Sequence, residues 1–251
     1  MSVHVLDVGK ADSILIESDG HFMLVDGGTA DYGDKISRYL TRHGVKTLDL
    51  VVNTHPDEDH IGGLSAVISS FPIQEYFVPD IPTAIVPNSA EYRNVQAALR
   101  TKNLTAVHPV RGTVRTLGKL KVDVLAPIKQ HDTTNNNSIV LRLTYGGTKF
   151  LLMGDAEKEE ETDLLSSGEN LAADVLKVGH HGSSTSTTQE LLNAVKPRYA
   201  AISVGKDSSN LPKTAVLKRF RGVNAQIFRT DVSGTLIFMS DGNKITVQTE
   251  R

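Results

Sequence analysis

Apolar and polar residues alternate through the start of the chain. Val3 to Val8, Ser13 to Glu17 and His21 to Val25 follow a period of two, which predicts half-buried strands. Asp19-Gly20, between the last two, reads as a tight hairpin turn. From Asp34 to His43 the period lengthens to that of a helix. Ile36, Tyr39 and Leu40 share one face there, and Gly44 supplies the stop. The apolar run Leu48 to Val52 predicts a strand, and Leu64, Val67 and Ile68 predict the helix after it.

The second quarter is less regular. Gln74 to Val78 reads as a strand, followed by a Pro-rich loop to Pro87 and a helix from Ala90 to Leu99. Short strands follow at Thr105–Val107, Thr113–Leu117 and Lys119–Leu125. After the polar loop His131 to Asn137, strands at Ser138–Thr144 and Lys149–Met153 pair across Tyr145-Gly146-Gly147-Thr148. Helices at Glu157–Leu165, Thr188–Ala194 and Lys213–Phe220 then alternate with strands at Asp174–Val178 and Tyr199–Val204. Strands at Ala225–Phe228, Thr235–Met239 and Lys244–Gln248 close the chain. With no alignable repeat and no low-complexity linker, the pattern predicts one α+β domain over residues 1–251, two sheets flanked by helices.

Composition narrows the function. A net charge of −2 gives no support for broad electrostatic binding of a polyanion, so nucleic acid would need a local basic groove or bound metal. The lack of Cys removes thiolate ligands, disulfides and a Cys nucleophile. No apolar run is long enough to span a bilayer, so stable membrane insertion of this segment is not expected. The chain is strand-like from Met1 to Leu6, with no signal-like start.

The densest chemistry lies in Thr54-His55-Pro56-Asp57-Glu58-Asp59-His60, between a strand and a helix. Two imidazoles and two carboxylates in one short loop make a ligand set for divalent cations. The plainer alternative is that Asp57 or Asp59 caps the helix. Three further segments follow strands: Val25-Asp26-Gly27-Gly28, Gly154-Asp155-Ala156-Glu157, and Lys177-Val178-Gly179-His180-His181-Gly182-Ser183. Each aspartate alone could be a turn or a cap. A doubled histidine between glycines is poorly explained by packing, and four of the nine histidines fall in two short motifs. Asn136, in Asn135-Asn136-Asn137-Ser138, is a weaker candidate, as a ligand or a plain polar turn. Such a set suits two-metal hydrolysis, in which paired cations activate a water and hold developing negative charge.

In their order along the chain these motifs resemble the metallo-β-lactamase superfamily, and within it the branch of the C-terminal domain of the DNA-uptake protein ComEC and its free-standing exported relatives. The opening Leu6-Asp7-Val8-Gly9-x-x-Asp12-Ser13 and the segment Val204-Gly205-Lys206 are also similar to that branch, and the likeness runs from about residue 3 to about residue 248. It implies a four-layer αββα sandwich with two divalent ions, Mn²⁺ or Zn²⁺, at one edge. Carried over, His55 and Asp57 hold one ion and Asp59 and His60 the other. Asp155 bridges, His181 completes the second ion, His180 faces substrate, and Asn136 takes the place of a common first-ion His. Asp59, His180 and Glu157 are the catalytic candidates; Asp26, Lys177 and Ser183 support the ligands or touch substrate.

The carboxylate at Asp57, where the superfamily usually has an imidazole, tilts the site toward a harder metal and away from β-lactam hydrolysis. Two further departures are Lys10 in place of Gln and Leu211 where the branch tends to carry a His. The implied function is a phosphodiesterase or nuclease acting on DNA. It would work on the outer face of a bacterial membrane, attached to or beside a membrane channel in a longer parent. The alternatives are a cell-surface choline-phosphate esterase and a non-catalytic metal-binding domain with a degenerate site.

Overall fold

The structure, a computed structural model, describes residues 1–206 and 208–251. Among them, the N-terminal half supplies β1 (Ser2–Val5), β2 (Ile14–Ser18), β3 (His21–Val25), β4 (Leu48–Val52), β5 (Ile73–Phe77) and β6 (Ala106–Val107). A second run follows: β7 (Val114–Leu117), β8 (Leu120–Ala126), β9 (Val140–Tyr145), β10 (Thr148–Leu152), β11 (Val175–Lys177), β12 (Tyr199–Ile202) and β13 (Gln226–Arg229). The chain then turns back with β14 (Leu236–Ser240) and β15 (Ile245–Thr249). One sheet has the order β15-β14-β1-β2-β3-β4-β5-β6, the other β13-β12-β11-β10-β9-β8-β7. Sequence pattern predicted the last two strands but not their return to the first sheet.

The core explains why several strands read as unbroken apolar runs. In β4, Leu50 and Val52 enter the core between the sheets, while Leu48 and Val51 face the helices on the outside. In β10, Phe150 and Leu152 point inward and Leu151 outward. A strand buried on both faces has no polar side to show. Helices α1 (Gly33–Arg42), α2 (Glu58–Ile61), α3 (Leu64–Ser70) and α4 (Ala90–Thr101) lie on the first half of the chain. Ile36, Leu40, Leu64, Val67, Val95 and Leu99 of this group pack on the first sheet. Helices α5 (Lys158–Ser166), α6 (Gln189–Val195) and α7 (Thr214–Arg221) cover the second sheet with Leu164, Leu191, Val195, Val216 and Phe220. A one-turn α8 (Thr230–Ser233) precedes β14. The architecture is the expected α+β sandwich of four layers.

Three backbone details shape the first sheet and its edges. The β2–β3 hairpin turns on Asp19 (φ 52°) and Gly20 (φ 84°), both left-handed as a primed turn requires. Expected as one helix, the segment after the acidic loop divides into α2 and α3 at Gly62-Gly63, where other backbone passes too close for a side chain. A Cβ on Gly63 would lie 2.2 Å from the Gly27 carbonyl, and one on Gly62 2.5 Å from the Ala30 nitrogen. That contact clamps the loop after β3 onto the loop after β4. The first strand also ends early, at Val5, and residues 6–12 leave the sheet to run along the same edge.

Candidate metal centre

Parallel strands β3 and β4 end side by side in one sheet, and β10 and β11 do so in the other. Their C-terminal loops meet. The Ile139 amide donates to the Thr54 carbonyl at 2.8 Å, and the Asp155 amide to Ser138 Oγ at 3.1 Å. Three non-glycine residues here, Asp26 (φ 59°), His180 (φ 46°) and His181 (φ 50°), adopt left-handed backbone. Such strain concentrates at functional sites.

Six side chains converge on this edge. His60 Nε2 lies 3.3 Å from Asp155 Oδ1, and His181 Nε2 lies 3.6 Å from both Asp155 Oδ2 and Asp59 Oδ2. His180 Nε2 is 3.8 Å from Asp155 Oδ2. One set of donors, from His55, His60 and Asp155, and a second, from Asp59, His60 and His181, each fall within 4.8 Å. The Nε2 atoms of His55, His60 and His181 and Oδ1 of Asp155 are buried yet complete no hydrogen bond. Buried polar atoms are normally partnered. Four orphans aimed at a common space fit a divalent cation, and their nitrogen and oxygen chemistry suits Zn²⁺ or Mn²⁺.

The other face of each imidazole is held. His60 Nδ1–H donates to Asp26 Oδ2 at 2.8 Å. Asp26 in turn accepts from the Thr54 amide at 2.7 Å, Thr54 Oγ1 at 2.6 Å and Asn53 Nδ2 at 3.2 Å. His181 Nδ1–H donates to the Ser203 carbonyl at 2.8 Å, and the Ser203 hydroxyl donates to Asp12. Such outer partners fix the tautomer so that the remaining nitrogen can ligate. Asp12, Ser203, Asn53 and Thr54 were not read as site residues from sequence. Asp12 and Thr54 stood inside quoted motifs, Gly9-x-x-Asp12 and Thr54-His55, but neither was given a role.

Burial alone would raise every carboxyl and lower every imidazole. At Asp155 burial is overcome by the charges of His181 and His60, which hold the carboxyl well below its usual range. At Asp59 the nearby His181 and His60 likewise overcome burial. His60, buried between Asp155 and Asp26, is held protonated well above the ordinary histidine value despite desolvation. Burial and the adjacent His60 push His55 the other way, toward the neutral form. A cation taking His60 Nε2 must therefore displace a proton.

The remaining candidates fall at different distances from this centre. Asp57 occupies the N-cap position of α2 but its side chain makes no cap bond. It stands at the rim, 37% exposed, with Oδ2 3.8 Å from His55 Nε2. Glu157 accepts from His180 Nδ1 at 3.0 Å, and His180 itself is 23% exposed at the mouth. Asn136 is turned elsewhere: its Oδ1 accepts from the Glu157 and Glu160 amides at 3.1 and 3.4 Å, and its Nδ2 donates to Glu159. It caps the start of α5 from another loop, and none of its contacts is with a ligand. Lys177 is 1% exposed and sits 2.8 Å from Asp12, so it is a buried ion-pair partner without access to substrate. The Ser183 hydroxyl pairs with Thr185 rather than a ligand. Leu211 packs against the helix-covered core of the second sheet.

A profile of the metallo-beta-lactamase superfamily matches residues 6–206. The chain is 32% identical to ComE operon protein 3 of Bacillus subtilis (strain 168) over 93% of its length. It is also 32% identical to competence protein ComA of Neisseria gonorrhoeae, over 94%. It spans about a third of these curated relatives, 32% of each. Among solved structures, the metallo-beta-lactamase fold protein YhfI from Bacillus subtilis superposes with a TM-score of 0.63. That match has 14% identity and covers 94% of this chain and 100% of the other, a likeness of fold. The profile covers well over half of the residues and the competence proteins are about a third identical over nearly all of them, so the chain belongs to the metallo-beta-lactamase superfamily.

Proposed function

We propose that the chain is a divalent-metal-dependent phosphodiesterase that cleaves DNA. The observation carrying this reading is the pair of overlapping donor sets at residues 55, 59, 60, 155 and 181, whose buried orphan atoms face one another. Two Mn²⁺ or Zn²⁺ ions, if held there, would supply an activated water and charge stabilisation at a phosphoryl oxygen. His55, Asp57 and Asp155 would hold one, and Asp59, His60, His181 and the shared Asp155 the other. Asp26 and Ser203 keep the His60 and His181 rings aimed inward. His180, oriented by Glu157 and partly open to solvent, is placed to give a proton to a leaving oxygen. Lys10, with Nζ 2.6 Å from Asp59, puts a positive charge beside the space an anionic diester would enter.

Kinship with a competence protein and the resemblance to the DNA-uptake branch favour DNA as the diester. They also favour a place on the outer face of a bacterial membrane, beside a channel in a longer parent. Among the described residues no helix is long and apolar enough to cross a membrane. Purified protein supplied with Mn²⁺ or Zn²⁺ should cleave single- or double-stranded DNA, and Asp59→Ala and Asp155→Ala should each abolish cleavage. Undiminished turnover in both variants sinks the reading.

One feature favours a second reading, a phosphoesterase acting on a small diester with a cationic group such as choline. Beside His180, between α5 and α6, lies a groove of about 760 Å³ whose walls carry Glu157, Glu159 and Glu190. Lys158 and Arg219 line it as well, Arg219 donating to the Ser186 and Thr187 carbonyls, so three carboxylates stand against two cations. Carboxylate walls attract a cation and repel a polyanion. Turnover of a choline phosphodiester with none of DNA selects this second reading.

A further inference from the structure

On the outer face of the first sheet, away from the centre described above, three chemically capable side chains meet. Two imidazole nitrogens from His4 and His43 and a carboxylate oxygen of Glu17 lie within 4.8 Å of one another. The β1–β2 register brings two of them together. Ser2 pairs directly with Glu17, and His4 lies two residues along β1, so all three project from the same face of the sheet. His43 arrives from the far end of α1, whose first residue, Gly33, packs against Gly63 near the main centre. The cluster thus lies a whole helix away from the catalytic edge.

The geometry around His4 is that of a prepared ligand. The residue is 4% exposed. Its Nδ1 lies 2.8 Å from Tyr39 Oη, and its Nε2 lies 2.8 Å from Ser2 Oγ, on the side of Glu17. The His43 ring stacks on Tyr39 with centroids 4.4 Å apart and meets the His4 ring edge-on at 4.8 Å. Yet among the described residues neither the His43 ring nitrogens nor the Glu17 carboxylate has a hydrogen-bond or ion-pair partner. Both side chains are half-buried. Packing accounts for the rings but leaves these donor atoms unused.

We propose that His4, Glu17 and His43 bind one transition-metal ion of the Zn²⁺ class, separately from the metal centre at the sandwich edge. Two imidazoles and one carboxylate are borderline donors, suited to Zn²⁺ and poorly suited to Ca²⁺ or Mg²⁺. Both partners of His4 are hydroxyls able to donate or accept, so Tyr39 can take an Nδ1–H and leave Nε2 as the ligand. Burial, with the neighbouring His43, lowers the His4 pKa to about 4, so its lone pair is free of protons at neutral pH. Metal bonds of about 2.1 Å need donors about 3.4 Å apart, which rotation of the Glu17 and His43 side chains supplies. The Ser2 hydroxyl or a water completes a fourth position. The bound ion would tie β1, β2 and the end of α1 together.

The test is equilibrium dialysis of the full chain against Zn²⁺, with bound metal counted by elemental analysis. Wild type should hold one equivalent that survives Asp155→Ala. Glu17→Gln, an isosteric change on a half-buried strand, and His43→Gln should each weaken that equivalent at least tenfold and leave the others unchanged. Unaltered stoichiometry and affinity in both variants overturns the site. Loss in His43→Gln alone, with Glu17→Gln binding as wild type, overturns the three-donor arrangement as well.

Discussion

Replacing Asp26 by Asn tests whether the imidazole of His60 is aimed by its outer partner. The change is nearly isosteric, and Asn tolerates the left-handed backbone (φ 59°) found at this position. What changes is the count of acceptors. Asp26 Oδ1 faces the Thr54 amide at 2.7 Å, a backbone donor that cannot turn away. The Asn oxygen must therefore stay on that side, which leaves its NH₂ facing His60 Nδ1, 2.8 Å from where Oδ2 lies. Two donors then confront each other. His60, held as the imidazolium in the metal-free protein, can relieve this only by giving up its Nδ1 proton, which leaves its one remaining proton on Nε2, the atom needed for metal. The variant loses a charge-assisted hydrogen bond, about 1.5–3 kcal/mol. Loss of such an outer partner weakens metal affinity roughly 10- to 100-fold, about 1.4–2.7 kcal/mol in binding free energy.

The assay is Zn²⁺ or Co²⁺ affinity by chelator competition, paired with long-range ¹⁵N correlation spectra that report the His60 tautomer. Asp26→Asn should show a neutral imidazole protonated at Nε2 alone, where metal-free wild type carries both protons, and the stated loss of affinity. Binding within about threefold of wild type, with Nδ1 still protonated, refutes the view that Asp26 aims this ligand.

Two further outcomes follow from buried charges. Glu160 is fully buried, and neither of its carboxyl oxygens completes a hydrogen bond. Burial, with Asp163 adding to it, raises its pKa well above the ordinary 4.5. Between those two values the folded state alone keeps the proton, so stability falls as pH rises, by about 1.4 kcal/mol per pH unit. Glu160→Gln removes that slope and should gain on wild type in urea unfolding between about pH 5 and about pH 7; parallel curves refute it. Lys177 is paired with Asp12 at 2.8 Å, both all but inaccessible. Lys177→Met should destabilise by about 3–5 kcal/mol because it strands a buried carboxylate. Adding Asp12→Asn should recover much of that loss in the same denaturation assay, and no recovery would show that the pair is not the cause.

Local patterns exposed most of the fold. The β2–β3 hairpin, the α1 stripe at Ile36 and Leu40, and the doubly buried β4 and β10 each write their environment into a few neighbouring residues. The candidate donors were legible for the same reason, since His55, Asp59 and His60 come from one loop and His180-His181 from another. Their supports were not. Ser203 reaches Asp12 across 191 residues of sequence, a contact no local period encodes. Likewise β14 finds β1 only in the folded chain. Asn136 was ambiguous in the sequence, because a polar residue before a strand looks the same as a ligand or as a cap delivered from a neighbouring loop; its oxygen accepts from amides at the start of α5. The partner of Lys177 was not legible either: Asp12, which also accepts from the Ser203 hydroxyl beside His181, meets it only in the folded chain.

The doubled histidine has a backbone explanation. Two consecutive left-handed residues, His180 (φ 46°, ψ 47°) and His181 (φ 50°, ψ 23°), reverse the chain after β11 so sharply that adjacent side chains diverge. Their rings stand 6.3 Å apart at 71°. One ring is fully buried among Asp59, Asp155 and Ser203, and the other points past Asp155 to Glu157 and solvent. Ordinary extended or helical backbone would not aim neighbouring imidazoles at a ligand set and at its mouth in this way. Non-glycine residues held in such conformations carry on the order of 1–3 kcal/mol of strain each. Glycine in place of either would relieve the strain and lose the imidazole. The sequence keeps strain and histidine together, the arrangement expected if one of the pair holds the site and its neighbour works at it.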